Sequence, residues 1–138
     1  MSAFQAENAT VKTRQAIAHA HAMARELNHP ELNSLHLLLA LLQQDGGLAR
    51  PLLERAGAHA GAVERAVSQQ FATQPRVTGA AVGPSQELIK TLDLAAAQAD
   101  ALKDRFVSAE HILLAMLSDE GERDRVRASA VLRGVGLT

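Results

Sequence analysis

Residues 33–47 read NSLHLLLALLQQDGG and residues 107–121 read VSAEHILLAMLSDEG. Each phrase has a serine in second place, a histidine, a leucine-rich run and a closing glycine. Sliding the chain by 75 residues puts His36 on His111. It also matches Leu38, Leu39, Ala40, Leu42 and Gly46 to Leu113, Leu114, Ala115, Leu117 and Gly121. The same slide lays Ile17 on Leu92, Ala20 on Ala95, Ala24 on Ala99 and Leu27 on Leu102. A repeat of this kind implies two units of common ancestry, because one unit alone leaves an apolar face that its twin can cover.

Working outward, the chain reads as helix after helix. From Thr10 to Leu27 the apolar positions Ala16, Ile17, Ala20, Met23, Ala24 and Leu27 recur at three- and four-residue steps, the stripe of an amphipathic helix. Asn28-His29-Pro30 stops it, since the residue before a proline is pushed out of the helical region. Asn33 or Ser34 then offers a side-chain oxygen to start a helix over residues 34–44. Gly46-Gly47 ends that helix, a short one covers residues 48–56, and a fourth carries Ala62, Val63, Ala66, Val67 and Phe71. Residues 72–84, ATQPRVTGAAVGP, lose the helical period and read as a linker. After it Ser85 is placed to cap a helix with core positions Leu88, Ile89, Leu92, Ala95, Ala96, Ala99 and Leu102.

The expected fold is therefore all-α. Two pseudo-repeated four-helix units, residues 10–71 and 85–138, are joined by the 72–84 linker and packed as a single domain over 1–138, with the last helix of the second unit truncated. At 138 residues one such domain buries about two-thirds of its unfolded surface and folds without staples. There is no cysteine, which suits a reducing compartment. The longest apolar run, Leu35 to Leu42, is too short to span a bilayer, and no signal peptide is visible. A cytoplasmic protein with no membrane partner is expected.

A net charge of −1 and only three phenylalanines argue against nucleic acid, which calls for a basic face or stacking rings. Arg123, Arg125, Arg127 and Arg133 alternate with Glu122 and Asp124 as a solvated helix face does. The His19/His21 pair points apart on a helix, whereas zinc ligands sit at i and i+4 with a third group nearby. A site from His36 and His111 has no acidic or cysteine ligand to complete it. Structural histidines are expected, with no metal and no cofactor. No nucleophile elbow, phosphate loop or defensible Ser/His/Asp set is present, so no catalytic residue is assigned.

Two longer stretches carry a family resemblance. Residues 9–42, ATVKTRQAIAHAHAMARELNHPELNSLHLLLALL, resemble the start of a Clp N-terminal domain. Residues 76–117, RVTGAAVGPSQELIKTLDLAAAQADALKDRFVSAEHILLAML, are most similar to the ClpB-type branch. The discriminating parts are PSxEL at 84–88 and Asp-x-Phe-Val-Ser-x-Glu-His at 104–111. The resemblance implies a non-catalytic domain on a hexameric AAA+ disaggregase. In that role it binds exposed apolar segments of unfolded or aggregated proteins, or an adaptor, and the isolated domain is a monomer. The chain has no GxxxxGK[ST], so the implied ATPase modules lie elsewhere.

Three polar positions carry over as implied substrate contacts: Thr10 at the start of the first helix, Asp104 before the Phe-Val-Ser turn, and Glu110 before the second histidine. Thr10 also suits an N-cap, and Glu110 suits a helix dipole. Two positions depart from the family pattern. Ala9 replaces a frequent Phe, for which Phe4 could substitute by folding back. Leu35 replaces a frequent Glu, which weakens the alternative of a ClpC/ClpA-type phosphoarginine site; a free-standing Clp-N-like binding protein is the other alternative. Helical geometry adds an apolar strip: Leu94 lies about 200° from Leu92 around the helix, off the core face. With Ala97, Gln98 and Ala101 it would line a shallow groove, so Leu94 and Gln98 join the expected binding residues.

Overall fold

The structure, a computed structural model, describes residues 4–79, 81–118 and 128–134. Its helices are α1 (Val11–Glu26), α2 (Ser34–Gln43), α3 (Ala49–Arg55), α4 (Ala60–Ala72), α5 (Gln86–Ala101), α6 (Ala109–Ser118) and α7 (Ala128–Gly134). A 3-10 turn, Ala6–Asn8, precedes them, and two-residue strands β1 (Glu31–Leu32) and β2 (Gly83–Pro84) pair in parallel. The protein is all-α apart from this short ladder. Adding 75 to the limits of α1 and α2 gives those of α5 and α6. Arg123, Arg125 and Arg127, and the end of the second expected unit at 135–138, lie outside the described residues.

Local chemistry sets these limits. Thr10 Oγ1 accepts the Thr13 N–H at 3.1 Å and Ser85 Oγ accepts the Leu88 N–H at 3.0 Å, so each long helix starts on a hydroxyl cap. Both end the same way. Asn28 and Lys103 turn left-handed, at φ 58° and 59°, and the next N–H folds back: His29 to Ala24 O at 2.9 Å, Asp104 to Ala99 O at 2.8 Å. These reversals satisfy carbonyls that a helix end leaves open. Alanines at 16, 20, 24, 95 and 99 are buried and let the neighbouring helices come close.

Helix α2 is the centre of the core. Leu35, Leu37, Leu38, Leu41 and Leu42 are all fully buried, as expected of a helix apolar on every side. It packs on α1, α3, α4, α5, α6 and α7. Its start is tied across the molecule: Ser34 N–H donates to Glu87 Oε1 at 3.1 Å, and Ser34 Oγ accepts the Ala128 N–H at 2.8 Å. One buried cluster draws on residues from Ala9 to Leu132.

The halves are also cross-linked through main chain. Thr10 N–H donates to Val107 O at 3.0 Å and Val107 N–H to Asn8 O at 2.8 Å, while Ser85 N–H donates to Leu32 O at 2.8 Å. Ala9 pairs with Val107, and Leu32 with Pro84. Thus the start of each long helix is fastened to the loop after the other one. The linker is fastened as well: Val77 N–H donates to Asn28 O at 2.7 Å, His21 Nε2 to Val82 O at 3.0 Å, and Asn33 Nδ2 to Gln74 Oε1 at 3.1 Å.

The α1–α2 corner encloses a histidine pair. Asn33 N–H donates to His36 Nδ1 at 3.0 Å, so the neutral His36 ring carries its proton on Nε2. That N–H donates to His29 Nδ1 at 2.8 Å, leaving the His29 proton on its own Nε2. Phe71 stacks on His36 with centroids 4.8 Å apart and tilts against His29 at 5.3 Å. Both histidines are fully buried. Burial first, then His29, lowers the His36 pKa to about 4, against an opposing hydrogen bond from the Asn33 backbone. The His29 pKa is lowered by burial and then by Arg76, with the Phe71 backbone opposing. His29 Nε2 has no hydrogen-bond partner among the described residues.

Three expectations about α5 are corrected. Ile89, placed among the core positions, is 39% exposed, because it stands about 100° round the helix from the buried Leu88. Leu102, placed on the core stripe, is 53% exposed, because the helix ends at Ala101 and Leu102 is its cap residue. Leu94, placed off the core face, is half-buried and packs against the core, because the packed face reaches further round the helix than a centred stripe implies.

Two predictions follow from these ties. His36 is neutral when folded, so unfolding takes up a proton between pH 6.5 and about 4. Its stabilisation is complete above pH 6.5 and falls by about 3 kcal/mol in total as pH drops through that window; urea melts at stepped pH should show the decline, and a flat profile would refute it. Ser85→Ala should cost about 1 kcal/mol through the lost cap. Ser85→Pro suits the native φ of −72° but also deletes the N–H bonded to Leu32 O, so it should cost about 1–3 kcal/mol more. Equal urea midpoints for the two variants would show that the cross-link contributes nothing.

Candidate functional site

The α5–α6 corner repeats the frame of the α1–α2 corner with different contents. Ser108 N–H donates to His111 Nδ1 at 2.9 Å, as Asn33 N–H does to His36. His111 therefore carries its proton on Nε2 when neutral and donates it to Asp104 Oδ2 at 2.7 Å. Asp104 takes the place that His29 has in the first half, 29 and 104 being 75 apart. The His111 side chain is nearly buried, but that of Asp104 is 51% exposed. A carboxylate so placed orients the imidazole and still presents an oxygen to solvent.

Thr10 joins this corner through its N–H bond to Val107 O, and Val107 lies three residues from both Asp104 and Glu110. The Thr10 hydroxyl faces its own helix, donating to Thr13 Oγ1 at 2.8 Å. Glu110 is exposed in the first turn of α6, where its charge suits the helix dipole. The Thr10–Val107 bond thus ties the start of α1 to the loop that carries Asp104 and leads into Glu110. Leu94 and Gln98 stand one turn apart on α5, both half-buried, and that helix leads into the corner at Lys103. Nearer the chain start Phe4 folds back as expected, its N–H donating to Asp93 Oδ1 at 2.9 Å and its ring packing against the core.

Large apolar side chains that the sequence reading did not count among the binding residues are exposed on the segments of this corner. Val11 is 59% exposed and Phe106 42% exposed, with Leu102 and Leu114 also open to solvent. Val11 and Phe106 flank the Thr10–Val107 hydrogen bond, and Leu114 stands one turn beyond Glu110. The Arg105 guanidinium lies over the Phe106 ring at 5.3 Å, which holds the ring at the surface. The missed signal was Phe106 itself, one of three phenylalanines in the chain, placed in a polar turn where no helical stripe could bury it.

The chemistry available is recognition. Asp104 and Glu110 are acceptors beside an apolar surface, and the buried His29–His36 pair is engaged in packing. Among the described residues no group of three or more His, Asp or Glu could hold a metal ion, and no helix is long and apolar enough to cross a membrane.

Comparison with known proteins shows the family of the chain. The family described as the Clp repeat (R) N-terminal domain matches residues 8–133. The chain is similar to the chaperone protein ClpB of Mycobacterium tuberculosis (strain H37Rv), 33% identical over 117 residues. That match covers 83% of this chain and 14% of ClpB, so the chain spans a small part of the relative's length. In fold it is similar to the Hsp104 N-terminal domain from Candida albicans, with a TM-score of 0.79, 24% identity, and 95% of this chain and 83% of that one covered. It is also similar to a ClpV N-domain in complex with a VipB peptide, with a TM-score of 0.76, 23% identity, and 96% and 81% covered. With a match over nearly all of its length and a helical fold shared with these N-domains, the chain belongs to the Clp N-terminal domain family.

Proposed function

We propose that this domain recognises clients for a ClpB-like, ATP-driven disaggregase in the cytoplasm. It binds exposed apolar segments of unfolded or aggregated proteins at the α5–α6 corner, and AAA+ modules of a longer polypeptide do the work. Within it, residues 10–71 and 85–138 act as two repeats joined by the 72–84 linker. The observation that carries this reading is the exposure of Val11, Leu102, Phe106 and Leu114, each within four residues along the chain of Thr10, Asp104 or Glu110, on segments that the Thr10–Val107 hydrogen bond ties together. These four are among seven exposed large apolar side chains of the described residues. An apolar surface rimmed by acceptors suits a segment with apolar side chains and unpaired N–H groups. Binding by one domain is weak because a disordered client loses freedom on docking. A six-fold array of domains then supplies avidity.

Two other family roles differ in support. A defined peptide or adaptor partner is favoured by the fold likeness to the ClpV N-domain in complex with a VipB peptide. A paired-carboxylate phosphoarginine site is disfavoured, because Leu35, the counterpart of Glu110, is fully buried.

A reduced, carboxymethylated protein that cannot refold is a suitable client for fluorescence anisotropy. The Leu102→Ser/Phe106→Ser variant should bind it about tenfold more weakly, as expected when two contact side chains lose apolar area. Leu48→Ser, at another exposed leucine, should bind like the parent. Equal losses in both variants, or none in the first, would place the client surface elsewhere.

A further inference from the structure

The α1–α2 corner already holds a non-helical segment of the chain. After α4 the chain crosses this corner, where Gln74 Oε1 accepts from Asn33 Nδ2 at 3.1 Å and Val77 N–H donates to Asn28 O at 2.7 Å. Asn28 is the left-handed residue that ends α1, and its carbonyl points away from the helix. At this corner Leu27 and Pro30 are half-buried and His29 is fully buried.

The α5–α6 corner has the same backbone. Lys103 is left-handed at φ 59° where Asn28 is at 58°, the N–H after each folds back onto its helix, and the helix-start histidine accepts the same backbone bond. Among the described residues no backbone N–H donates to Lys103 O. The counterparts of Leu27, His29 and Pro30 are Leu102, Asp104 and Arg105, and all three are exposed. One chemical difference matters. Asn33 Nδ2 donates to the linker, whereas its counterpart Ser108 has a hydroxyl, 3.1 Å from His111 Nδ1, that can accept as well as donate.

We infer that the α5–α6 corner binds an extended segment of another protein in the way the α1–α2 corner holds residues 74–77, with a main-chain N–H of the segment donating to Lys103 O. This rests on the client-binding reading above and adds its geometry. The segment brings donors, because Lys103 O, Ser108 Oγ, Asp104 and Glu110 all accept. It lies extended, because a helix has already used its interior N–H groups. An apolar side chain flanking the bonded N–H rests against Phe106 and Leu102. Recognition through main chain accepts many sequences, with the side-chain preference confined to that apolar neighbour.

The test is a titration of the carbon-13- and nitrogen-15-labelled domain with the same carboxymethylated unfolded protein, following backbone carbonyl and amide shifts. The expected result is a downfield shift of the Lys103 carbonyl carbon, with movement of the Asp104 amide, while the Asn28 carbonyl stays in place. If binding moves Val11, Phe106 and Leu114 but leaves the Lys103 carbonyl still, the main-chain mode is wrong and the client surface stands. If the unfolded protein moves no resonance at the corner, both this inference and the client-binding reading fall.

Discussion

Both helix corners depend on a crossed pair of main-chain hydrogen bonds. Thr10 N–H reaches Val107 O and Ser85 N–H reaches Leu32 O, so neither half can set the start of its long helix without the loop of the other. Side-chain packing alone allows small slips between helices. A hydrogen bond between two loops with defined partners does not. The bonds sit at hydroxyl-capped helix starts, where the first N–H groups have no partner within the helix. Each cap fixes the helix start, and each crossing bond fixes that start to the opposite loop.

From this frame come two corners with one backbone and two fillings. At α1–α2 a neutral histidine pair under Phe71 is sealed by the linker. At α5–α6 a carboxylate replaces one histidine, and the surface stays open with Leu102 and Phe106 in solvent. The charge of a carboxylate resists burial, so Asp104 keeps its corner polar and accessible, whereas His29 can be buried in its neutral form. One substitution at equivalent positions is a physical reason why one corner is buried and the other stays open to solvent.

Much of the frame was legible in the sequence. The spacing of Ala16, Ala20 and Ala24, and of Leu88, Leu92, Ala95 and Ala99, gave the two long helices, and Thr10 and Ser85 announced their caps. The histidines of the doubled phrase were read as structural, as their bonds to Asn33 and Ser108 bear out. The His29–His36 contact escaped, because it depends on Asn28 turning left-handed and bringing a loop residue back over the next helix. Its trace was still present, since the 75-residue slide lays His29 on Asp104. Leu102 was misplaced because periodicity does not mark where a helix stops, and Leu94 because a helical wheel cannot show how far a neighbour wraps around it. The paired β1 and β2 escaped because two residues carry no alternation to read.

Residue-resolved amide hydrogen exchange, with and without an unfolded client, tests the crossed frame and its open corner together. In the free domain the Thr10 and Ser85 amides should exchange equally slowly, through opening of the whole fold. With client present, residues 104–106 should gain protection and residues 29–32 should not. Fast local exchange at Thr10 beside a protected Ser85, or client protection confined to the α1–α2 corner, would contradict it.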